Sequence, residues 1–579
     1  MLAACAPIFL ALRIQTKHWI NIPIWDEWDT PGIAILRAVQ HKLSWADLLA
    51  QHNESRKVVP RLLAILVAGP TGWDVRQGMV LTLVSACLVS ALGFYYLRKP
   101  VGRILFSTVV TWAVVNLLLF APSQYENFLS GFMWEVSFPI LCLFTAITVN
   151  LTDRPLWLKV LCNSLLALLS TYTFAHGMLL WLFAFPVRSP VERSLGSRVA
   201  ELSWYAIYLM IGVASIAYYF VGYYRPPVAP PSATFRQIPQ VADFLIVWLG
   251  ANFRSDVVNA RVAGGLVWIV IMVAIPSALL RVFQNPKLWK KYYPWILLAG
   301  FSLGSGLVTA IGRVRIGVDL AFNTGFDGFS GIRYNGSSVF ACVALAGILH
   351  GNYADVIRSK GPWRVRFILG AACACVLLGI SWIFMFGHEV RRLPFFKENR
   401  ERAKLAATWA SVLPDNPEIF CAYPQIEGFA QRVEEMKQFG VIKLPPIKAT
   451  LKEAIFFPPP PASHDAGFLD IGKLNNRLVH IAGWARNPQT NAPADYVILG
   501  WQEPSGPFHP FTLLTTGISR PDLIEPFKSR AMSKAGFDRE IDVSKLPRVP
   551  LEIKGWAIDR RNGFAFPLGG TLRLEAGPE

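Results

Sequence analysis

Long apolar runs recur along the first two-thirds of the chain and stop near Gly387. A helix needs about 20 mostly apolar residues to cross the hydrocarbon core. The runs 77–97, 104–121, 136–152, 202–222, 262–280, 294–312, 337–354 and 367–387 approach or meet that length. The stretch 156–187 is apolar but broken at Thr171-Tyr-Thr-Phe-Ala-His-Gly177, which predicts two short spans with a re-entry. The run 2–14 is short for a span and begins at Met1. Arg13 and Lys17 follow it where a signal peptide would carry a small-residue cleavage site, so a first helix reaching about Ile20 is expected, with room for a longer N-terminus. The pattern predicts a polytopic α-helical membrane protein of about eleven spans.

Beyond Gly387 the pattern changes. Residues 395–413 read as a charged amphipathic helix leaving the membrane, and Pro458–Pro461 as a stiff polyproline spacer. Short alternating segments with Gly, Pro and Asn turns follow, which predicts a β-sandwich-like domain. Ile481-Ala-Gly-Trp-Ala-Arg-Asn487 echoes Ile553-Lys-Gly-Trp-Ala-Ile-Asp559, each a strand running into a turn. Trp484 and Trp556 are expected in the core rather than as sugar platforms. Arg520-Pro-Asp522 is expected to be a turn, and carbohydrate binding by this domain is a minor hypothesis. The expected organisation is a membrane domain over 1–387, a helical and proline-rich linker over 388–461, and a β-rich domain over 462–579.

Composition agrees: 53% of residues are hydrophobic and 16% charged, against about 25% charged in an ordinary soluble chain. The net charge of +18 does not point to nucleic acid. Many basic residues sit in short loops between apolar runs: Arg98, Lys99 and Arg103; Arg188, Arg193 and Arg198; Arg281, Lys287, Lys290 and Lys291; Arg358, Lys360, Arg364 and Arg366. The positive-inside rule makes that face cytoplasmic. Residues 18–76, 122–135, 223–261, 313–336 and everything after Gly387 then lie outside. Of the eight cysteines only Cys421 lies in the tail, so no disulfide within that domain is possible, and no spacing suggests zinc.

The outer loops carry the candidate chemistry. The first begins Pro23-Ile-Trp-Asp-Glu-Trp-Asp29, and Asp26, Glu27 and Asp29 stand just beyond a membrane helix, where ionised carboxylates are costly unless used or paired. A solvated loop with belt tryptophans is the plainer alternative. The same loop holds a half-length apolar helix, Val58–Pro70, and the polar cluster Gln51-His-Asn-Glu-Ser-Arg56. The next outer loop holds Glu126 within Pro122-Ser-Gln-Tyr-Glu-Asn127; a later one holds Gly312-Arg-Val-Arg315 and Ser330-Gly-Ile-Arg-Tyr334. Early carboxylates and late arginines fit a general base with a phosphate clamp.

This ordered series resembles the GT-C superfamily of membrane glycosyltransferases, with Asp26-Glu27 matching the acidic motif of the first outer loop and Glu126 the acidic residue of the second. The HNE-x-R stretch, the YENF loop, Phe174-Ala-His-Gly177 and the Arg333-Tyr334 pair match predicted bacterial members across about residues 20–340. Asp29 lengthens the motif, and the first helix is short for the family. The resemblance implies a multi-pass protein of the bacterial inner membrane with its C-terminal domain outside the cytoplasm. The donor would be a polyprenyl-phosphate-linked sugar, and the acceptor a glycan, lipid or protein. Transfer would be inverting, with Asp26 as general base, Glu27 holding the acceptor or tuning the base, and Glu126 completing the acidic wall. Arg313, Arg315 and Arg333 would neutralise the leaving phosphate, with one hydrogen bond from Tyr334. His52, Asn53 and Glu54 would shape the acceptor side. Arg56 would pair with a loop carboxylate, as a substrate-side or a structural salt bridge. A Mg²⁺ or Mn²⁺ ion, if one is used, would sit on Asp26, Asp29 and Glu126. His176 is expected to pack rather than react. The rival classes are a lipid-linked glycan transporter or flippase, which should show repeated halves, and a non-catalytic envelope assembly protein.

Overall fold

The computed structural model describes the chain outside residues 100–103, 189–197, 226–231, 254–255, 319–321, 323–335, 359–362, 449–465, 476–477, 503–507, 543–545, 548–550 and 575–579. Arg333, Tyr334, Pro458–Pro461 and the loop cations Arg103, Arg193 and Lys360 fall outside the described residues. The chain forms two compact units. One comprises Met1–Pro23 with Glu27–Glu398, the other Ile24–Asp26 with Asn399–Glu579. The division falls after Glu398 rather than Gly387, because the span and the expected amphipathic segment are one continuous helix, Trp363–Trp409.

The first unit is helical. Five of its described helices are long and apolar enough to cross a membrane: Val75–Arg98, Val199–Phe220, Val257–Gln284, Pro286–Ile316 and Ala372–Trp409, the last running on into the second unit. Phe106–Leu119 and Pro122–Phe128 make a sixth if that pair, bent by 41°, is one span. Trp134–Asn150, Leu156–Thr171 and Ser338–Tyr353 are apolar but shorter. At 1.5 Å per residue, the 17 residues of Trp134–Asn150 rise roughly 26 Å, short of a ~30 Å core. Length and composition therefore support a membrane protein, and five or six of the described helices are long and apolar enough to span. The first helix is Leu2–His18. The predicted break after Thr171 is present, where a 3-10 turn over Ala175–Leu179 leads into Leu180–Phe183. His176 is buried there against the Phe174 and Phe301 rings, at 4.7 and 6.1 Å. The interior of the unit is a layer of Leu, Val, Phe and Trp side chains that includes Leu143, Phe144, Trp295 and Val343.

A two-stranded hairpin, β1 (Gln51–His52) and β2 (Ser55–Arg56), lies in the segment between helices Leu2–His18 and Val75–Arg98. Asn53 holds φ 50° at its tip, the left-handed value that two-residue turns need and Asn tolerates.

The second unit is β-rich. Its strands are β3 (Gly467–Asn475), β4 (Leu478–Asn487), β5 (Ala492–Pro493), β6 (Tyr496–Gln502), β7 (Phe508–Thr515), β8 (Gly536–Asp542), β9 (Leu551–Asp559), β10 (Phe564–Pro567) and β11 (Leu572–Leu574). One sheet runs β3-β4-β5 with β8 also on β4; the other runs β10-β9-β6-β7 with β11 also on β9. Among the described residues, every pairing between these strands is antiparallel. Alternation along β4 sends Val479 and Ile481 inward, where they share a core with Val497, Leu499 and Ile553 of the other sheet.

The sequence echo has a structural counterpart. The turns after Asn487 and Asp559 close alike: Asn491 N–H donates to Asn487 O at 3.0 Å, and Gly563 N–H to Asp559 O at 2.9 Å. The two side chains then meet, the Asn487 amide donating to Asp559 Oδ2 at 2.7 Å. Trp556 is buried against Phe508, Leu405 and Trp409, and Trp484 is half-buried against Phe527, so both pack rather than stand free. Burial raises the Asp559 pKa. Hydrogen bonds from the Asn562 N–H, the Asn562 and Asn487 amides and the Arg561 N–H outweigh it and hold the carboxyl below the usual range. A depressed carboxyl pKa contributes stability above the unfolded value of about 3.9 and loses it as pH falls through the folded value. Asp559→Asn should therefore lower the melting temperature of the full chain at pH 7. The gap to wild type should narrow as pH falls below the unfolded value of about 3.9, read by tryptophan fluorescence.

Candidate functional site

Residues 27–76 (loop one) and 122–135 (loop two) pack together in the first unit, and loop two also approaches the start of helix Val75–Arg98 closely through glycines. A Cβ on Gly78 would lie 1.7 Å from Gly131 O, so neither backbone could approach so closely with a side chain between them. Glu27 is buried in the short helix Asp26–Asp29, and its Oε1 accepts the Gly131 N–H at 2.6 Å. The acidic segment of loop one is thereby tied to the backbone of loop two. Trp28, fully buried, meets Trp73 edge-on at 6.4 Å.

Loop two is fixed from behind. The Gln15 amide donates to Phe128 O and Met79 O, both at 2.7 Å. Asn127 donates to Gln124 Oε1 at 2.6 Å, the Gln124 amide to Asn252 Oδ1 at 3.2 Å, and the Asn252 amide to Ser338 Oγ at 2.6 Å. Glu126 is buried within this loop.

The hairpin is held to the end of helix Arg198–Phe220. Arg56 is buried and donates to three main-chain carbonyls: Tyr219 at 2.6 Å, Leu49 at 2.6 Å and Val221 at 2.5 Å. Two of these lie at the helix C-terminus, where a cation also complements the dipole. Carbonyls rather than the expected loop carboxylate thus occupy Arg56. Arg61 does similar work on Leu48 O and Ala50 O at 2.7 and 2.6 Å, and burial lowers its pKa to about 10. So anchored, the hairpin presents half-buried His52 and Glu54 and exposed Asn53. Asn53 Nδ2 lies 3.4 Å from His52 Nε2. Both Glu54 oxygens lie 2.7 Å from Arg313 Nη2. Arg315 donates to Gln237 Oε1 at 3.0 Å. The two described arginines of the expected phosphate clamp are thus less buried than Arg56 and are held by side chains, the Glu54 carboxylate and the Gln237 amide, rather than by main-chain carbonyls.

The predicted carboxylates divide between the units. Glu27, Asp29 and Glu126 belong to the first. Asp26 belongs to the second, where neighbouring Trp25 donates its N–H to Ala422 O at 2.7 Å and meets the Phe420 ring at 5.7 Å. Asp26 and Asp29 are half-buried. Among the described residues, no three His, Cys, Asp or Glu side chains are placed to share a metal ion, so Asp26, Asp29 and Glu126 are not gathered into a metal site.

Two residues of the site were missed in the sequence. Lys57 and Glu135 form an ion pair at 2.8 Å with side chains 5% and 1% exposed. Lys57 Nζ lies 4.9 Å from the Phe132 ring and 5.7 Å from that of Phe174. The pair joins the start of helix Val58–Thr71 to the start of helix Trp134–Asn150. The available signal was a glutamate at the head of an apolar run, in Phe132-Met-Trp-Glu135, with a lysine at the head of another. No family model, curated protein or solved structure matches this chain.

Proposed function

We propose that this chain is a membrane glycosyltransferase of the GT-C type. It moves a sugar from a polyprenyl-phosphate donor to an envelope glycan, lipid or protein acceptor. The observation that carries this reading is the Glu27–Gly131 contact, which packs the acidic start of the first outer loop on the loop that bears Glu126. Buried carboxylates at the ends of apolar helices are costly and are retained where they bind or react. In this reading the shorter apolar helices complete a count of about eleven spans. The protein lies in the bacterial inner membrane, and the C-terminal sheets form an extracytoplasmic β-sandwich.

Asp26 takes the proton of the acceptor hydroxyl as that oxygen attacks the anomeric carbon, and the lipid phosphate leaves with the bonding pair. Glu27 keeps the acidic segment in register, and Glu126 adds to the acidic wall. Arg313, released from Glu54 by a phosphate that binds its guanidinium better, neutralises the leaving anion, aided by Arg315 and Arg333. Mass spectrometry of envelope glycans with and without the protein tests the reading. Loss of a defined sugar from a glycan is expected. An unchanged glycan profile, or a full-length glycan stranded on the wrong side of the membrane, would overturn it, the latter in favour of a flippase.

A further inference from the structure

The last turns of the apolar helix Pro286–Ile316 carry a boundary that none of the roles above uses. Leu307, Val308 and Ile311 are exposed, and Arg315 is exposed one turn further on. The spacing 307, 308, 311, 315 puts all four on one helix face. On a membrane-spanning helix, exposed Leu, Val and Ile face hydrocarbon, where a guanidinium is costly. The change from apolar to cationic side chains over about 6 Å of rise therefore sets the hydrocarbon edge between Ile311 and Arg315. A second segment meets the same edge. The Ala233 N–H donates to Ile311 O at 2.8 Å, and Arg315 Nε donates to Gln237 Oε1 at 3.0 Å. Between these contacts Phe235 stands 92% exposed beside exposed Arg236, and Ile238 follows at 61%. Such side chains are costly in water and stable at the boundary of headgroups and acyl chains. Among the described residues neither Arg236 nor Arg315 forms an ion pair. The next carboxylate along the chain, Asp243, is taken by Arg261 at 2.6 and 2.9 Å.

We propose that Arg236 and Arg315 bind the phosphate of an anionic phospholipid whose upper acyl chain lies against Phe235, Ile238 and Ile311. Two cations without a carboxylate, set at the edge of the hydrocarbon, are matched by a phosphate at the same depth. Arginine suits it, being less strongly hydrated than an ammonium and forked toward phosphate oxygens. A zwitterionic lipid carries the same phosphate together with its own cation, so net charge is what this corner selects. Each arginine near the membrane surface favours the anionic lipid by about fivefold. Binding does not rest on the glycosyl-transfer reading. In that reading the donor phosphate displaces the phospholipid from Arg315.

The test places p-benzoylphenylalanine at position 235 of the full-length protein, in nanodiscs of equal parts phosphatidylcholine and phosphatidylglycerol. After irradiation, mass spectrometry identifies the lipid attached at that position. Phosphatidylglycerol adducts should exceed phosphatidylcholine adducts by about twentyfold, the product of two arginines. Arg236→Gln/Arg315→Gln should bring the two lipids to parity. Should the double variant not fold, Arg236→Gln alone, at an exposed side chain with no ion pair to lose, should cut the preference to about fivefold. Absence of any lipid adduct would mean that Phe235 faces water. Parity in the unsubstituted background, or full preference surviving in either folded variant, would show that the arginines select nothing; each of these results overturns the proposal. Undecaprenyl phosphate added as a minor component supplies the last arm. Adducts dominated by it would give the site to a polyprenyl phosphate and overturn the phospholipid assignment.

Discussion

Lys57→Met should destabilise the first unit by about 3–5 kcal/mol, the usual cost of leaving one partner of a buried ion pair alone. Both side chains are almost fully withdrawn from water, at 5% and 1% exposure, so the orphaned Glu135 would be left with no cation within bonding distance. Glu135→Leu should cost a similar amount by stranding Lys57 between the Phe132 and Phe174 rings. The double variant Lys57→Met/Glu135→Leu should recover most of the loss, because apolar side chains of similar volume often replace a buried pair without penalty. The Arg37–Asp47 pair supplies a control. Arg37 is 48% exposed, and Arg37→Met should change stability by under about 1 kcal/mol, as exposed pairs do. Thermal unfolding of the full chain in nanodiscs, compared across a double-mutant cycle, measures the coupling. Losses that merely add in the double variant would show that the two side chains do not stabilise each other.

That pair also marks where reading a sequence stops. Apolar runs predict helices because period and length are local properties, and helices Val75–Arg98 and Val257–Gln284 contain the runs 77–97 and 262–280. The strand echo was legible for the same reason: Gly483-Trp484 and Gly555-Trp556 repeat one alternation in β4 and β9. Local pattern cannot say which buried groups meet. Arg56 and Lys57 are adjacent cations, yet Arg56 satisfies helix-end carbonyls while Lys57 faces a carboxylate 78 residues away in the chain. Charge identifies neither fate; the turn at Asn53 and the helix that receives Arg56 decide both. The span count exceeded the long helices because runs such as 104–121 and 136–152 include loop and bend residues. The helices within them end at Leu119 and Asn150. Asp26 and Glu27 read as one motif from adjacency and share one short helix, but adjacency does not show that Ile24–Asp26 group with the second unit and Glu27 with the first.

Asp26→Asn should reduce transfer by roughly 10²–10⁴-fold, the range supplied by a positioned general base. Asparagine keeps the size of the side chain and one oxygen acceptor but cannot take a proton at neutral pH. Expression and unfolding temperature, measured alongside turnover, separate loss of the base from loss of the fold. Glu27→Gln makes the decisive comparison. Its Oε1 accepts the Gly131 N–H, and a glutamine oxygen accepts that bond nearly as well, at the cost of one charge-assisted hydrogen bond weakened to a neutral one. Glu27→Gln should therefore retain most of the turnover. The assay is transfer from a polyprenyl-phosphate sugar to acceptor in proteoliposomes, with kcat and KM separated. A fall in kcat at unchanged KM for Asp26→Asn assigns the proton to Asp26, since a base acts in the transition state and contributes little to ground-state binding. A large loss confined to Glu27→Gln would move the base to Glu27. Its Oε2, rather than the oxygen held by Gly131, would then carry the proton, and Asp26 would be left to orient the acceptor.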